Sequence, residues 1–244
     1  MPNARDVTVG SEMLKCMVVG KTGSGKSVFA SSFPTPGYVF DFDKGILTYR
    51  GEDFDYDQFP VTAQGWVAFE KKFNEVAKLA TEGKYKTIIF DSASTLTDLA
   101  MERAMSLDPK RSATGGPLWN VHYQMVKNLV EGRMQKLMNI PCNLVLIAHV
   151  ELVTDQETGA ILDARPLMTG QLSTKIPGLF DEVYYSVAKL EKGKTQFCLQ
   201  TVPKGLYNAR SRISAKSRIL PDFVPNDYGY IMKLATQNQN PNQS

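Results

Sequence analysis

The chain has 244 residues, of which 43% are hydrophobic and 22% charged, and its 28 Lys plus Arg against 25 Asp plus Glu leave a formal net charge of +3. That balance excludes a histone-like polycation and a wholly disordered chain, and the length suits one large domain or two small ones. No apolar run approaches the roughly 18 to 20 residues that cross a bilayer, so no membrane partner is expected.

Residues 1–12 form a lead without the apolar core of a signal peptide, which sets the expectation of a cytosolic protein. Residues 13–19 are an apolar strand running into a glycine-rich turn, and a helix starts at Lys26. Tyr38-Val39-Phe40-Asp41-Phe42 reads as a second strand ending in acids, the last of them Asp43. The crowd of Asp41, Asp43, Glu52, Asp53, Asp55 and Asp57 is expected at the surface. Trp66, Phe69, Phe73, Val76 and Leu79, spaced by three and four, predict an amphipathic helix over 64–81. Thr87-Ile88-Ile89-Phe90 is a fully apolar strand bounded by Asp91. Residues 96–105 and 119–138 read as helices around a loop at 106–117, and Leu144 to Ala148 is a buried strand whose tip is His149. Two β-like runs, 183–189 and 196–202, flank a Glu191-Lys192-Gly193-Lys194 turn and predict a hairpin. Residues 236–244 hold no large apolar group and are expected to be a disordered polar tail, leaving a single domain over 13–235. Unbroken hydrophobic strands alternating with helices predict an α/β fold, a mostly parallel sheet covered on both faces, with an antiparallel extension near the C-terminus.

Gly20-Lys21-Thr22-Gly23-Ser24-Gly25-Lys26-Ser27 fits G-x-x-x-x-G-K-[ST] and lies between a strand and a helix, where that motif works. Its backbone N–H groups can close around a β-phosphate, Lys26 can reach the β- and γ-phosphates, and the Ser27 hydroxyl can ligate magnesium. Asp91 stands at the end of a buried strand, expected beside the first in space, where a carboxylate can hold that magnesium; the alternative is that it caps the following helix. Asp43 is a candidate to orient or deprotonate water, although Asp41 shares its side of the strand and the whole stretch could be solvated. His149 could sense the γ-phosphate, or simply end a core strand. A base contact could come from Tyr49 or Arg50. Cys16, Cys142 and Cys198 sit far apart in apolar runs and read as buried, reduced thiols. With His122 as the only other imidazole, zinc has few ligands to draw on, and the expected ligands are ATP and Mg2+.

The order of these pieces, P-loop, Asp41-Phe42-Asp43, Ile88-Ile89-Phe90-Asp91-Ser92, Leu146-Ile147-Ala148-His149, then a hairpin with late basic residues, resembles the RecA-like P-loop ATPases over residues 13–218. It looks most like the compact phage-encoded members, some of them single-strand annealing recombinases, which would place it in a host cytosol. The family has Glu where Asp43 stands and commonly Gln where His149 stands. The resemblance implies a ring or filament with ATP between subunits, in which Lys204, Arg210 or Arg212 reaches a neighbour's γ-phosphate; the alternative is a solvated basic edge. It also implies single-stranded DNA held by loops at 108–116 and 154–177, with Lys110, Arg111, Arg165 and Lys175 on phosphates and little base stacking. A single-strand-binding protein is a further partner it suggests. The expected function is therefore a DNA-stimulated ATPase of recombination, repair or replication. The rivals are a nucleotide-dependent interaction module, such as a helicase loader or packaging accessory, and a small-molecule kinase, against which the extended hairpin argues.

Overall fold

The computed structural model describes residues 13–191, 193–215 and 218–237; the expected lead at 1–12, Lys192, Lys216 and residues 238–244 of the expected tail lie outside the described residues. Strands β1 (Lys15–Gly20), β2 (Gly37–Asp41), β3 (Phe54–Gln58), β4 (Thr87–Asp91), β5 (Asn143–Thr154), β6 (Ile161–Pro166), β7 (Glu182–Glu191), β8 (Lys194–Gln200), β9 (Arg210–Ser211) and β10 (Phe223–Pro225) build one sheet. Its order is β10-β8-β7-β1-β5-β4-β2-β3, with β6 paired to β5 and β9 to β7. The strands from β7 to β3 in that order run parallel, while β8, β10, β6 and β9 add antiparallel pairs, as the sequence led one to expect.

Helices α1 (Lys26–Ser31) and α6 (Tyr228–Gln237) cover one face and α2 (Ala63–Thr81), α3 (Ala93–Leu107) and α4 (His122–Met138) the other, with a short α5 (Leu172–Lys175) between β6 and β7. The period of two sorts the side chains between two cores: Met17, Phe40, Ile88, Phe90, Leu144 and Leu146 pack under α2 to α4, and Cys16, Val18, Val39, Ile89, Val145 and Ile147 under α1 and α6. Cys16 and Cys142 are buried, as expected, while Cys198 is only half-buried.

Four expectations are corrected. The Asp91 strand does not neighbour the P-loop strand: β5 lies between them, because its apolar residues are buried on both sides and need two partners, β1 and β4. His149 is not a strand tip, since β5 runs on to Thr154 and its second half forms a hairpin with β6. The acidic stretch is not solvated throughout: Asp43, Glu52, Asp53 and Asp55 are exposed but Asp41 is buried, and the stretch contains an edge strand, β3, whose aspartates pair with Lys72, Lys84, Tyr38 and Tyr85. Thr236 and Gln237 belong to α6, which is held by burial of Ile231 and Ala235.

Candidate nucleotide-binding site

The P-loop bridges β1 and α1 at the edge where the parallel strands end. Gly25 has φ 95° and a Cβ there would meet Phe197 at 3.0 Å, so only glycine fits this turn. Gly20 is equally constrained, its absent Cβ lying 2.7 Å from the Ser186 carbonyl. Ser186 of β7 donates its hydroxyl to the Ser24 carbonyl at 2.6 Å, and Asn226 donates to the Gly25 carbonyl at 2.7 Å, so the loop is held from both flanks. Lys26 is buried and donates to the Lys21 carbonyl at 2.9 Å. Burial lowers its pKa, against the opposing pull of Asp91 and Asp43.

Asp91 comes to the P-loop across the intervening strand because both strands finish at the same edge. Ser27 Oγ donates to Asp91 Oδ2 at 2.7 Å and the Tyr49 hydroxyl donates to the same oxygen at 3.0 Å. The cap of α3 is Ser92, whose side chain accepts from Thr95 N, so Asp91 is spared that role. Burial raises the Asp91 pKa, partly offset by the bonds from Ser27 and Tyr49. This pairing fits a magnesium ion by its donor chemistry: a hydroxyl and a carboxylate, both hard oxygens, sit together at the P-loop with room for phosphate oxygens to complete a shell. Among the described residues no cluster of three or more His, Cys, Asp or Glu could hold a metal by itself.

Asp43 follows β2 and is fixed by its backbone, the N–H groups of Phe42 and Asp43 both donating to the Asp91 carbonyl. Its Oδ1 accepts from the Thr95 hydroxyl and its Oδ2 lies 3.0 Å from His149 Nε2. Burial would raise its carboxyl, but hydrogen bonds from His149, Thr95 and Ser92 outweigh it and hold the pKa below the usual value. Asp41 differs although it shares the strand face: it is buried, accepting from Gly45 N and Gln58 Nε2, and is structural.

A cavity of about 380 Å³ joins Lys26, Ser27, Asp43, Asp91 and His149. Two apolar side chains, Val28 and Phe197, also line it and are exposed by 48% and 39%. Tyr49, weighed as a base contact, is 3% exposed and serves Asp91 instead. Phe197 and Thr95 escaped the sequence reading, because nothing in a strand over 196–202 or an α3 hydroxyl marks them as neighbours of a P-loop far away in the chain.

The late basic residues are elsewhere. β9 pairs with the start of β7, so Arg210 and Arg212 lie at the edge opposite the P-loop of their own chain. Arg210 donates to the carbonyls of Pro177 and Phe180, Arg212 is ion-paired with Asp181, and Lys204 lies 3.5 Å from Asp222. Of the four cations expected on DNA, Arg111 binds the carbonyls of Met105, Asp108 and Lys110, Arg165 pairs with Glu151 at 2.8 Å, and Lys175 lies 3.8 Å from Glu131. Among the described residues, the Lys110 ammonium has no such partner.

A model of the AAA domain family (AAA_24) matches residues 12–213. The chain belongs to this family. The P-loop sequence and the mostly parallel α/β sheet are those of a P-loop ATPase domain. A KaiC-like protein from the hyperthermophilic archaeon Pyrococcus horikoshii is similar at 11% identity and TM-score 0.44, over 82% of each chain. No curated protein gives a significant match. Among the described residues no helix is long and apolar enough to cross a membrane.

Proposed function

We propose that this AAA-domain protein binds and hydrolyses ATP with magnesium, and that it works in the cytosol on single-stranded DNA during recombination, annealing, repair or replication of the phage type. The observation that carries the ATPase part is the convergence of Lys26, Ser27, Asp91, Asp43 and His149 on one cavity from four separate segments. The P-loop amides and Lys26 would hold the phosphates, and Ser27 and Asp91 the magnesium, which would neutralise charge on the transferring group.

What supports the DNA part lies at the start of α4 and in the turn before it. Trp119 is 68% exposed and stacks on Tyr123 at 4.5 Å between ring centroids. The two rings, with Asn120, Gln124, Lys127 and Gln171, line a cleft of about 200 Å³. Lys127 stands beside Lys175, whose positive charge lowers the Lys127 pKa, and the two share Glu131. An exposed aromatic pair next to crowded ammonium groups suits stacked bases and their phosphates. The cleft is also tied to the nucleotide site, because the loop from Leu167 to Gln171 begins with Leu167 N–H bonded to the His149 carbonyl.

Assembly as a ring or filament would follow from a head-to-tail contact that sets the edge carrying Lys204, Arg210 and Arg212 against a neighbour's P-loop. The arginines would then have to exchange carbonyl and Asp181 partners for phosphate.

Titration with oligo-dT tests the DNA reading directly. The chain has two tryptophans, and Trp66 is 1% exposed, so quenching of fluorescence reports Trp119. Oligo-dT should quench it, Trp119→Ala should weaken binding about tenfold, and Lys127→Ala should lower the salt slope by about one. Unchanged affinity in Trp119→Ala would remove the platform. A second reading, a nucleotide-gated interaction module, draws on the short Asp43 carboxylate, both of whose oxygens are engaged. It predicts nucleotide-dependent capture of a protein partner with slow turnover indifferent to DNA.

A further inference from the structure

Asp43 and His149, the two departures from the residues the family resemblance suggests, are hydrogen-bonded to each other. An ionised carboxylate only accepts, and the Asp43 oxygens face Thr95 and His149, so the proton between the pair belongs to His149 Nε2. In the neutral ring the free lone pair is then on Nδ1, for which the described residues offer no partner. The His149 backbone is held in place, its amide N–H donating to Ser94 Oγ at 3.1 Å, its carbonyl accepting from Leu167 N at 2.8 Å and its register partner on β1 being Gly20, while the ring itself is oriented by Asp43. Its ring lines the cavity with Lys26 and Ser27.

We propose that His149 is the general base that takes the proton of the attacking water, and that Asp43 is its positioning residue. The proposal rests on the ATPase reading. As the water oxygen bonds to the γ-phosphorus, the bond from that phosphorus to the bridging oxygen breaks and its electron pair leaves with ADP. The water proton moves to Nδ1, giving an imidazolium that Asp43 stabilises, and is lost to solvent after phosphate departs. Asp43, one bond shorter than Glu, reaches the water through the ring. The charged groups around the pair are Asp91 of β4, Asp98 of α3 and Lys26 of α1, each electrostatically coupled to Asp43, while β1 presents only Gly20.

The experiment is steady-state ATP hydrolysis by the full chain from about pH 5.5 to 8.5, with binding of a fluorescent ATP analogue measured alongside. A general base acts only when unprotonated, so the wild-type rate should fall on the acid side of the profile. His149→Gln should lower kcat about 100-fold, lose that acid limb and keep analogue affinity within about threefold. His149→Gly should regain activity on addition of imidazole, whereas Asp43→Asn should be slow and unaffected by it. Wild-type turnover in His149→Gln, an acid limb that survives there, or a His149→Gly variant that binds the analogue and ignores imidazole would each overturn the base assignment alone. A wild type that binds the analogue and never turns it over would remove the ATPase reading, and the base assignment with it.

Discussion

Ser92 and Asp91 divide two tasks that one residue could have had to share: the hydroxyl caps α3 and the carboxylate is left to face Ser27. The motif Ile88-Ile89-Phe90-Asp91 was legible because it needs only a hydrophobic run and an acid at its end. Tyr49 was not, because its partner is decided by how the turn after β2 folds back on α1, and local pattern does not encode that. The same limit hid Phe197, which reaches the P-loop from β8. Its exposed ring lines the cavity with Val28, an apolar surface on which a nucleotide base would stack with few polar groups to read the base edge. Phe197→Ala is expected to weaken ATP about tenfold and to leave tripolyphosphate affinity unchanged in competition binding. Equal losses for both would mean that the ring only supports the loop.

Among the elements, β9 shows how the basic edge is built. Glu182, fully buried at the start of β7, accepts from the backbone N–H groups of Arg212 and Ile213 at 2.9 and 3.0 Å and from the Tyr184 hydroxyl at 2.6 Å. Glu182→Ala takes the acceptor from the Ile213 N–H and the buried Tyr184 hydroxyl, while the Arg212 N–H keeps the Asp181 carbonyl at 3.2 Å, and should cost about 3 kcal/mol in denaturant unfolding. Burial raises the Glu182 pKa above the ordinary value despite these bonds. A carboxyl raised in the folded state binds protons that the unfolded state has released, so stability should fall as pH rises from about 4.3 through the folded-state value, and Glu182→Gln should flatten that slope. Such a buried carboxylate is invisible in sequence, where Asp181-Glu182 looks like one more polar turn. β3 and the β5–β6 hairpin were not legible for a related reason: β3 leaves three of its five residues exposed and β6 starts with two exposed residues, so neither shows the buried apolar run of the central strands.

At the scale of the molecule, the α/β class and the succession of parallel strands followed from unbroken apolar runs, since only a sheet covered on both faces buries them. The neighbour order did not, because insertion of β5 between β1 and β4 is a choice among long-range pairings with equally apolar strands. That insertion sets the layout of the whole active edge: His149 beside Gly20, Asp91 one strand further, and Asp43 beyond, all within reach of one cavity. The aromatic cleft on α4 and the nucleotide cavity are joined through the Leu167 contact, so a coupled protein should change turnover when the cleft is filled. The most direct measurement is the ATP hydrolysis rate of the wild type and of Lys26→Ala, with and without single-stranded DNA, at two salt concentrations. The account predicts turnover that rises with DNA, loses that rise at high salt, and drops by at least about 100-fold in Lys26→Ala. Turnover indifferent to DNA at both salts, or undiminished in Lys26→Ala, would contradict it.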